Sequence, residues 1–356
     1  MARWPGVARL VTDAYTAEHP SPGMVAVRTQ PQTLMAIALA AGCVLAALPQ
    51  EASAATPVPA QMRANPSELI LCGWGEVFIL DLSQLEKGKP RKVWSWQANG
   101  HADLPWYDQG VSFGATDECK PVDGGRKILI TSSGLGVGVA LVDRASHKVL
   151  FWARAENAHS ADLLPGGRVA VATSVHEIPD PPLNPDRLTI YDARTPGKDL
   201  CHTELPAGHG VVWDEAHQVL WALANQEIRA YRLGNAKTDH PSLEKLFSVK
   251  LPEGGAHDLY PVPNSRLMTV TTYRHCWLFD SETRSLRPHT QLGKTGDVKS
   301  ISVNPITGQL AYVQAEGEDW WAKHVHLLQP DSVLHLPGER LYKARWNVPL
   351  HQVPAG

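Results

Sequence analysis

From Ser67 onward the apolar residues fall into short runs rich in β-branched and aromatic side chains, broken by Gly, Pro, Asn and Asp. Helical spacing is almost absent, so the pattern predicts a sheet protein. Aligned against itself, the chain repeats about every 40–50 residues, the size of a four-stranded propeller blade. The clearest copies are AHSADLLPGG-RVAVATS from Ala158, GHGVVWDEAH-QVLWALA from Gly208 and AHDLYPVPNS-RLMTVTT from Ala256. In each, a histidine stands nine residues before the polar residue opening the next strand: His159 and Arg168, His209 and Gln218, His257 and Arg266.

Two weaker copies flank these, ATDECKPVDGG into RKILITSS near Asp117 and VKSISVNPITG into QLAYVQA from Val298. Third strands ending near Asp follow (VALVDRASH, LTIYDART, WLFDSET), then fourth strands such as KVLFWAR, which gives blades two to six. The N-terminal runs ELILCG, EVFILDL and KVWSW supply three strands, and YKARW at Tyr342 is a lone strand at the other end. Pairing them completes a sixth blade and hides two sheet edges. The expected fold is an all-β, six-bladed propeller. The alternative of seven blades needs about 40 further residues.

The first strand of each blade lines a propeller's axis, and the loops entering it share a face with those joining second and third strands, the usual ligand face. His159, His209 and His257 are therefore expected at one mouth. Asp117 or Glu118, Lys299, and Lys343 or Arg345 occupy the matching positions of the other blades. The long loops belong to the same face: residues 97–111 with His101, Trp106, Tyr107 and Asp108, residues 175–186, and residues 314–323 with Trp320 and Trp321.

Upstream, the apolar run from Leu34 to Leu48 follows Arg28 and precedes Ala52-Ser53-Ala54, a signal-peptide layout too short for a membrane span. Residues 1–54 are read as the signal peptide with Met24 as a second candidate start, 55–66 as a linker, 67–350 as the propeller and 351–356 as a tail. A periplasmic or secreted location follows. A lipid anchor at Cys43 is the lesser alternative, because the apolar run continues past it. The 356 residues carry 33 Lys and Arg against 36 Asp and Glu, a net charge of -3, which draws the chain toward neither nucleic acid nor anionic lipid. Cys72, Cys119, Cys201 and Cys276 would meet an oxidising compartment. Their spacing selects none of three pairings, and buried thiols are the alternative.

Three convergent imidazoles could hold a divalent metal such as Zn, Mn or Ca, or only channel water. Lys299, Lys343 and Arg345 would be costly unpaired in a dry core, so they either meet Asp117 or Glu118 across the axis or hold an anionic group of a ligand. In the catalytic version, Arg345 and Lys343 neutralise a substrate carboxylate while His209 or His257 moves the proton, in β-elimination or hydrolysis. His159, Lys299, Trp106, Tyr107, Trp320 and Trp321 are the candidate substrate contacts. Asp258, Asp162 and Asp214 read as structural, with Asp258 on the far side of its strand from His257 and the other two capping turns. The remaining histidines, among them His289, read as surface positions. No G-x-S-x-G, H-E-x-x-H, P-loop or dinucleotide fingerprint is present.

The strings GHGVVWD, GAHDLYPVP, VKSISVNPITGQ, Trp320-Trp321 and YKARW resemble a family of secreted bacterial propellers of unknown function, across residues 67–348. That resemblance implies the fold and export but no activity. A looser architectural likeness connects the channel histidines to propeller lyases acting on oligogalacturonate, in which such histidines hold a metal. The expected ligand is an acidic saccharide or related anionic small molecule at the channel mouth. The competing expectation is a non-catalytic module or a platform for another exported protein.

Overall fold

The structure, a computed structural model, describes residues 65–86, 88–99, 101, 104, 113–134, 137–174 and 186–348. The signal peptide, Cys43, most of the linker, Trp106, Tyr107, Asp108, residues 175–185 and the tail lie outside the described residues. Among the described residues no helix is long and apolar enough to cross a membrane.

The strands run β1 (Glu68–Gly73), β2 (Glu76–Glu86), β3 (Lys89–Trp96); β4 (Thr116–Val122), β5 (Lys127–Ser132), β6 (Val137–Asp143), β7 (Val149–Glu156); β8 (Ala158–Leu164), β9 (Arg168–Thr173), β10 (Arg187–Asp192), β11 (Asp199–Glu204); β12 (Gly210–Asp214), β13 (Val219–Leu223), β14 (Glu227–Gly234), β15 (Ser242–Lys250); β16 (Asp258–Pro261), β17 (Leu267–Thr271), β18 (Cys276–Asp280), β19 (Ser285–Pro288); β20 (Val298–Val303), β21 (Leu310–Gln314), β22 (His324–Leu328), β23 (Ser332–His335); and β24 (Lys343–Trp346). They form six four-stranded antiparallel sheets, and β24, β4, β8, β12, β16 and β20 pack in turn around the axis. The fold is a six-bladed β-propeller.

Sheet order β24-β1-β2-β3 closes the ring from both chain ends, with Leu69 opposite Trp346 and Cys72 opposite Lys343. Apolar packing follows the blade interfaces, with one core cluster between each adjacent pair. Middle strands, covered on both faces, are buried along nearly their whole length, as in β9, whereas the outer β11 and β15 are largely exposed. Each fully buried Leu, Ile or Phe here contributes about 1.5–3 kcal/mol.

The inner strands leave one edge of N–H groups facing the channel, and buried edge donors need partners. Polar side chains on neighbouring inner strands supply them. Ser300 Oγ accepts from Ala344 N at 3.0 Å and Ser302 Oγ from Trp346 N at 3.1 Å. Asp162 Oδ2 accepts from Trp213 N at 2.9 Å. Part of the polar pattern along these strands is thus a condition of closing the ring.

All four described cysteines are free thiols, three of them buried, so the thiol alternative describes them. His289 is a correction: it is 7 % exposed, not a surface residue. Its Nδ1 accepts from Gln291 N and Leu292 N, and burial pushes its pKa down to about 4. Asp214 does cap its turn, accepting from His217 N.

Candidate functional site

Three β-bulges decide what the channel mouth presents. Register slips between Thr116 and Glu118, Ala158 and Ser160, and Val298 and Ser300, leaving Asp117, His159 and Lys299 as the extra residues at the starts of β4, β8 and β20. A bulge opposes two residues to one and re-aims a side chain that strict alternation would send elsewhere. Asp117 and Glu118 can therefore both serve the axis, where the sequence reading asked for one or the other.

In the middle of the channel Lys343 and Arg345 are both fully buried. Arg345 grips two carboxylates, with Nε and Nη2 at 3.0 and 3.1 Å from Glu118 and Nη1 and Nη2 at 2.9 and 2.6 Å from Asp258. Its guanidinium carbon lies 3.9 Å from the Tyr260 ring centroid. Lys343 Nζ donates to His159 O at 2.9 Å and lies 3.4 Å from Asp117, 3.4 Å from Asp258 and 3.6 Å from Glu118. Burial alone would raise the Glu118 carboxyl, but Arg345, Lys343 and Lys120 hold it well below the usual range. Burial would likewise lower Lys343, yet Glu118, Asp258 and Asp117 raise it. Of the two expectations for these cations, the geometry gives the pairing across the axis.

Asp258 corrects the expectation that it turns away from the axis. Alternation along β16 sends Asp258 and Tyr260 inward, while His257 precedes the strand's first paired residue and is not bound by that alternation. Asp162 is also an axial residue, 3.3 Å from Lys120 Nζ, rather than only a turn cap.

At the mouth, His159 is 8 % exposed. Its Nδ1 lies 2.8 Å from Asp117 Oδ2 and its Nε2 2.9 Å from Ser174 Oγ. The His209 ring stacks on it at 3.9 Å between centroids, and His257 meets His209 edge-on at 5.8 Å. His209 Nδ1 donates to Ala207 O at 2.9 Å, which leaves the Nε2 lone pair of the neutral ring as an acceptor. Burial, then the neighbouring histidines, push His209 well below its ordinary pKa. Burial, then Lys299, do the same to His257.

Lys299 is 4 % exposed and donates to His257 Nε2 at 3.1 Å. Among the described residues no carboxylate forms a salt bridge with it, and burial lowers its pKa to about 8 against the weaker opposing pull of Asp297 and Asp117. The three histidines expected at one mouth are together there with Lys299. Among the described residues no group of three His, Cys, Asp or Glu side chains is arranged to hold a metal ion. Stacked rings do not aim their nitrogens at one point, and both nitrogens of His159 are already engaged.

Trp320 and Trp321 lie on the β21–β22 loop of the same face, Trp320 39 % exposed. Trp74, in the β1–β2 turn, stacks on Trp320 at 5.0 Å and meets Trp321 edge-on at 5.8 Å, with Arg340 over its ring at 4.7 Å. Gly73 permits this turn, since a Cβ there would lie 1.8 Å from Arg340 O. Beside it a cavity of about 400 Å³ is lined by Trp74, Phe113, Glu76, Glu339 and Arg340. Tyr342 links this group to the axis, 5.5 Å from Trp320 and under Lys343. Tyr273, 59 % exposed in the β17–β18 loop, sets its ring edge-on to His257 at 5.2 Å.

Ser174, Tyr273 and Trp74 escaped the sequence reading. Their shared signal is position, one or two residues after a second strand, where a propeller's ligand-face loops begin. Trp106 and Tyr107, expected beside them, lie outside the described residues.

None of the curated proteins matches the chain. Solved structures similar to it include Kuenenia stuttgartiensis hydrazine synthase, at 12% identity and TM-score 0.43, covering 59% of this chain and 62% of that one. Another is a chain of a nidogen/laminin complex, at 13% identity and TM-score 0.49, covering 78% of this chain and 97% of that one. The chain thus spans under two thirds of the hydrazine synthase chain. Residues 82–351 match one family throughout, and the chain belongs to that family of unknown function, DUF6528.

Proposed function

We propose that this propeller is exported and binds an acidic saccharide or related anionic small molecule at its channel mouth. The observation that carries the reading is Lys299, an almost buried ammonium at the mouth that donates to His257 and has no salt-bridged carboxylate among the described residues, Asp297 and Asp117 acting on it only at longer range. An unpaired buried cation is costly, and an anionic ligand would relieve it. Lys343 and Arg345 hold the channel floor in this reading instead of reaching the ligand, because the protein's own carboxylates engage them. Around Lys299, the His209 Nε2 lone pair can accept from a ligand hydroxyl. Tyr273 and the Trp74–Trp320 stack offer faces to a sugar ring.

A thermal-shift and calorimetric screen of uronates, sulfated sugars and neutral oligosaccharides tests this. Anionic saccharides should raise the melting temperature, neutral ones should not, and Lys299→Met should abolish the difference. Stabilisation by none of them, or equal stabilisation of Lys299→Met, would overturn the reading in favour of a protein-interaction platform.

A further inference from the structure

Asp117, His159 and Ser174 form a continuous hydrogen-bonded line at the mouth, carboxylate to imidazole at 2.8 Å and imidazole to hydroxyl at 2.9 Å. Asp117 comes from the bulge of β4, His159 from the bulge of β8, and Ser174 directly follows β9. The carboxylate accepts from Nδ1–H, so Nε2 carries the lone pair facing the serine hydroxyl, the tautomer a general base requires. His209, stacked on the imidazole, limits its tilt.

The serine is held as firmly. Asn157, at φ 48° in the left-handed region that Asn tolerates, accepts from Gly134 N through Oδ1 at 2.6 Å. That bond fixes the amide orientation, and Nδ2 donates to both Ser174 O and Ser174 Oγ at 2.8 Å. The hydroxyl oxygen thus keeps an N–H donor on it while its proton faces His159, an arrangement that favours oxyanion character at Oγ. A core hydrogen-bond network does not require this order of groups at a channel mouth.

We infer that Asp117, His159 and Ser174 are a nucleophilic acyl-transfer site that hydrolyses a small carboxylic ester. Ser174 Oγ attacks the ester carbonyl carbon as its proton passes to His159 Nε2. The adduct collapses by breaking the bond to the alkoxide oxygen, which takes that proton and leaves as an alcohol, with the acyl group esterified to Ser174. Water then gives a proton to His159 and attacks the acyl carbon. The bond to Ser174 Oγ breaks, that oxygen recovers the proton, and a carboxylic acid departs, so ester and water become acid and alcohol with no other reactant. Asp117 Oδ2 holds the tautomer and stabilises the imidazolium. Ser174 is only 5 % exposed, which selects a slender acyl group. The inference uses the proposed mouth but not its affinity for anions.

The test is phosphonylation of the full chain by a small alkyl fluorophosphonate, read by intact mass and peptide mapping, with a burst assay on p-nitrophenyl acetate. One adduct per chain on Ser174 is expected, absent in Ser174→Ala, which keeps the Asn157 bond to the Ser174 carbonyl. His159→Gln should slow labelling by at least about a hundredfold with its melting temperature retained. No adduct, or an adduct on another residue, overturns the assignment. Loss of saccharide binding with Ser174 labelling intact would sink only the anion reading, and the converse only this one.

Discussion

The middle of the channel and its mouth are built from the same six inner strands, and both are polar and mostly buried, yet they are balanced differently. In the middle, Lys343 and Arg345 meet Asp117, Glu118 and Asp258 within 3.6 Å, and every cation has a carboxylate. At the mouth, among the described residues, Lys299 has an imidazole as its hydrogen-bond partner and no salt bridge, and two histidines keep nitrogens without a hydrogen-bond partner, Nε2 of His209 and Nδ1 of His257. A saturated network fixes a structure. One left with open valences at an opening has room for a further partner, and on the proposed reading that difference separates the structural polar residues of the axis from those that meet a ligand.

The largest expected effect lies in the middle. Arg345→Ala would strand Glu118 and Asp258 as buried unpaired charges and should lower stability by about 3–5 kcal/mol, read by urea unfolding. If it unfolds no more easily than Lys299→Met, the two regions are not different in kind.

Acid should find the mouth next. His209, His257 and His289 have folded pKa values below their ordinary 6.5, so as pH falls through 6.5 the unfolded chain takes up protons first and stability drops. The loss continues toward the folded values, about 4 for His289, at up to about 1.4 kcal/mol per pH unit for each group. Unfolding of His209→Gln and His257→Gln at pH 7, 6 and 5 should show shallower losses than the native chain, and slopes equal to native would contradict neutral mouth histidines. Smallest is Trp320→Ala: melting should barely change, while saccharide affinity weakens about two- to tenfold by calorimetry, the size of one aromatic stacking contact.

The contrast was only half legible in the sequence. Six blades, closure by YKARW and the gathering of His159, His209 and His257 follow from period and offset, because repeats write strand order into spacing. The bulges at Asp117, His159 and Lys299 do not, since one extra residue leaves the apolar pattern almost unchanged while turning adjacent polar residues toward one space. Asp258 was misplaced for a related reason: alternation was counted from His257, which precedes the first paired residue of β16 and whose N–H bonds the same Thr271 that Asp258 faces. Ser174 had no motif to announce it, as its partners come from positions 15 and 57 residues earlier on two other strands.

The central claim is that Lys299, without a salt-bridged carboxylate among the described residues, is the group that takes an anionic ligand at the mouth. Calorimetric titration of the native chain with an oligogalacturonate at pH 6.5 and at pH 9.5, beside Lys299→Met, tests it most directly. With the ammonium losing its proton near pH 8, affinity should be present at pH 6.5, fall at least about tenfold by pH 9.5, and be absent at both pH values in Lys299→Met. Binding that is equally tight at both pH values, or that survives the substitution, would contradict the account.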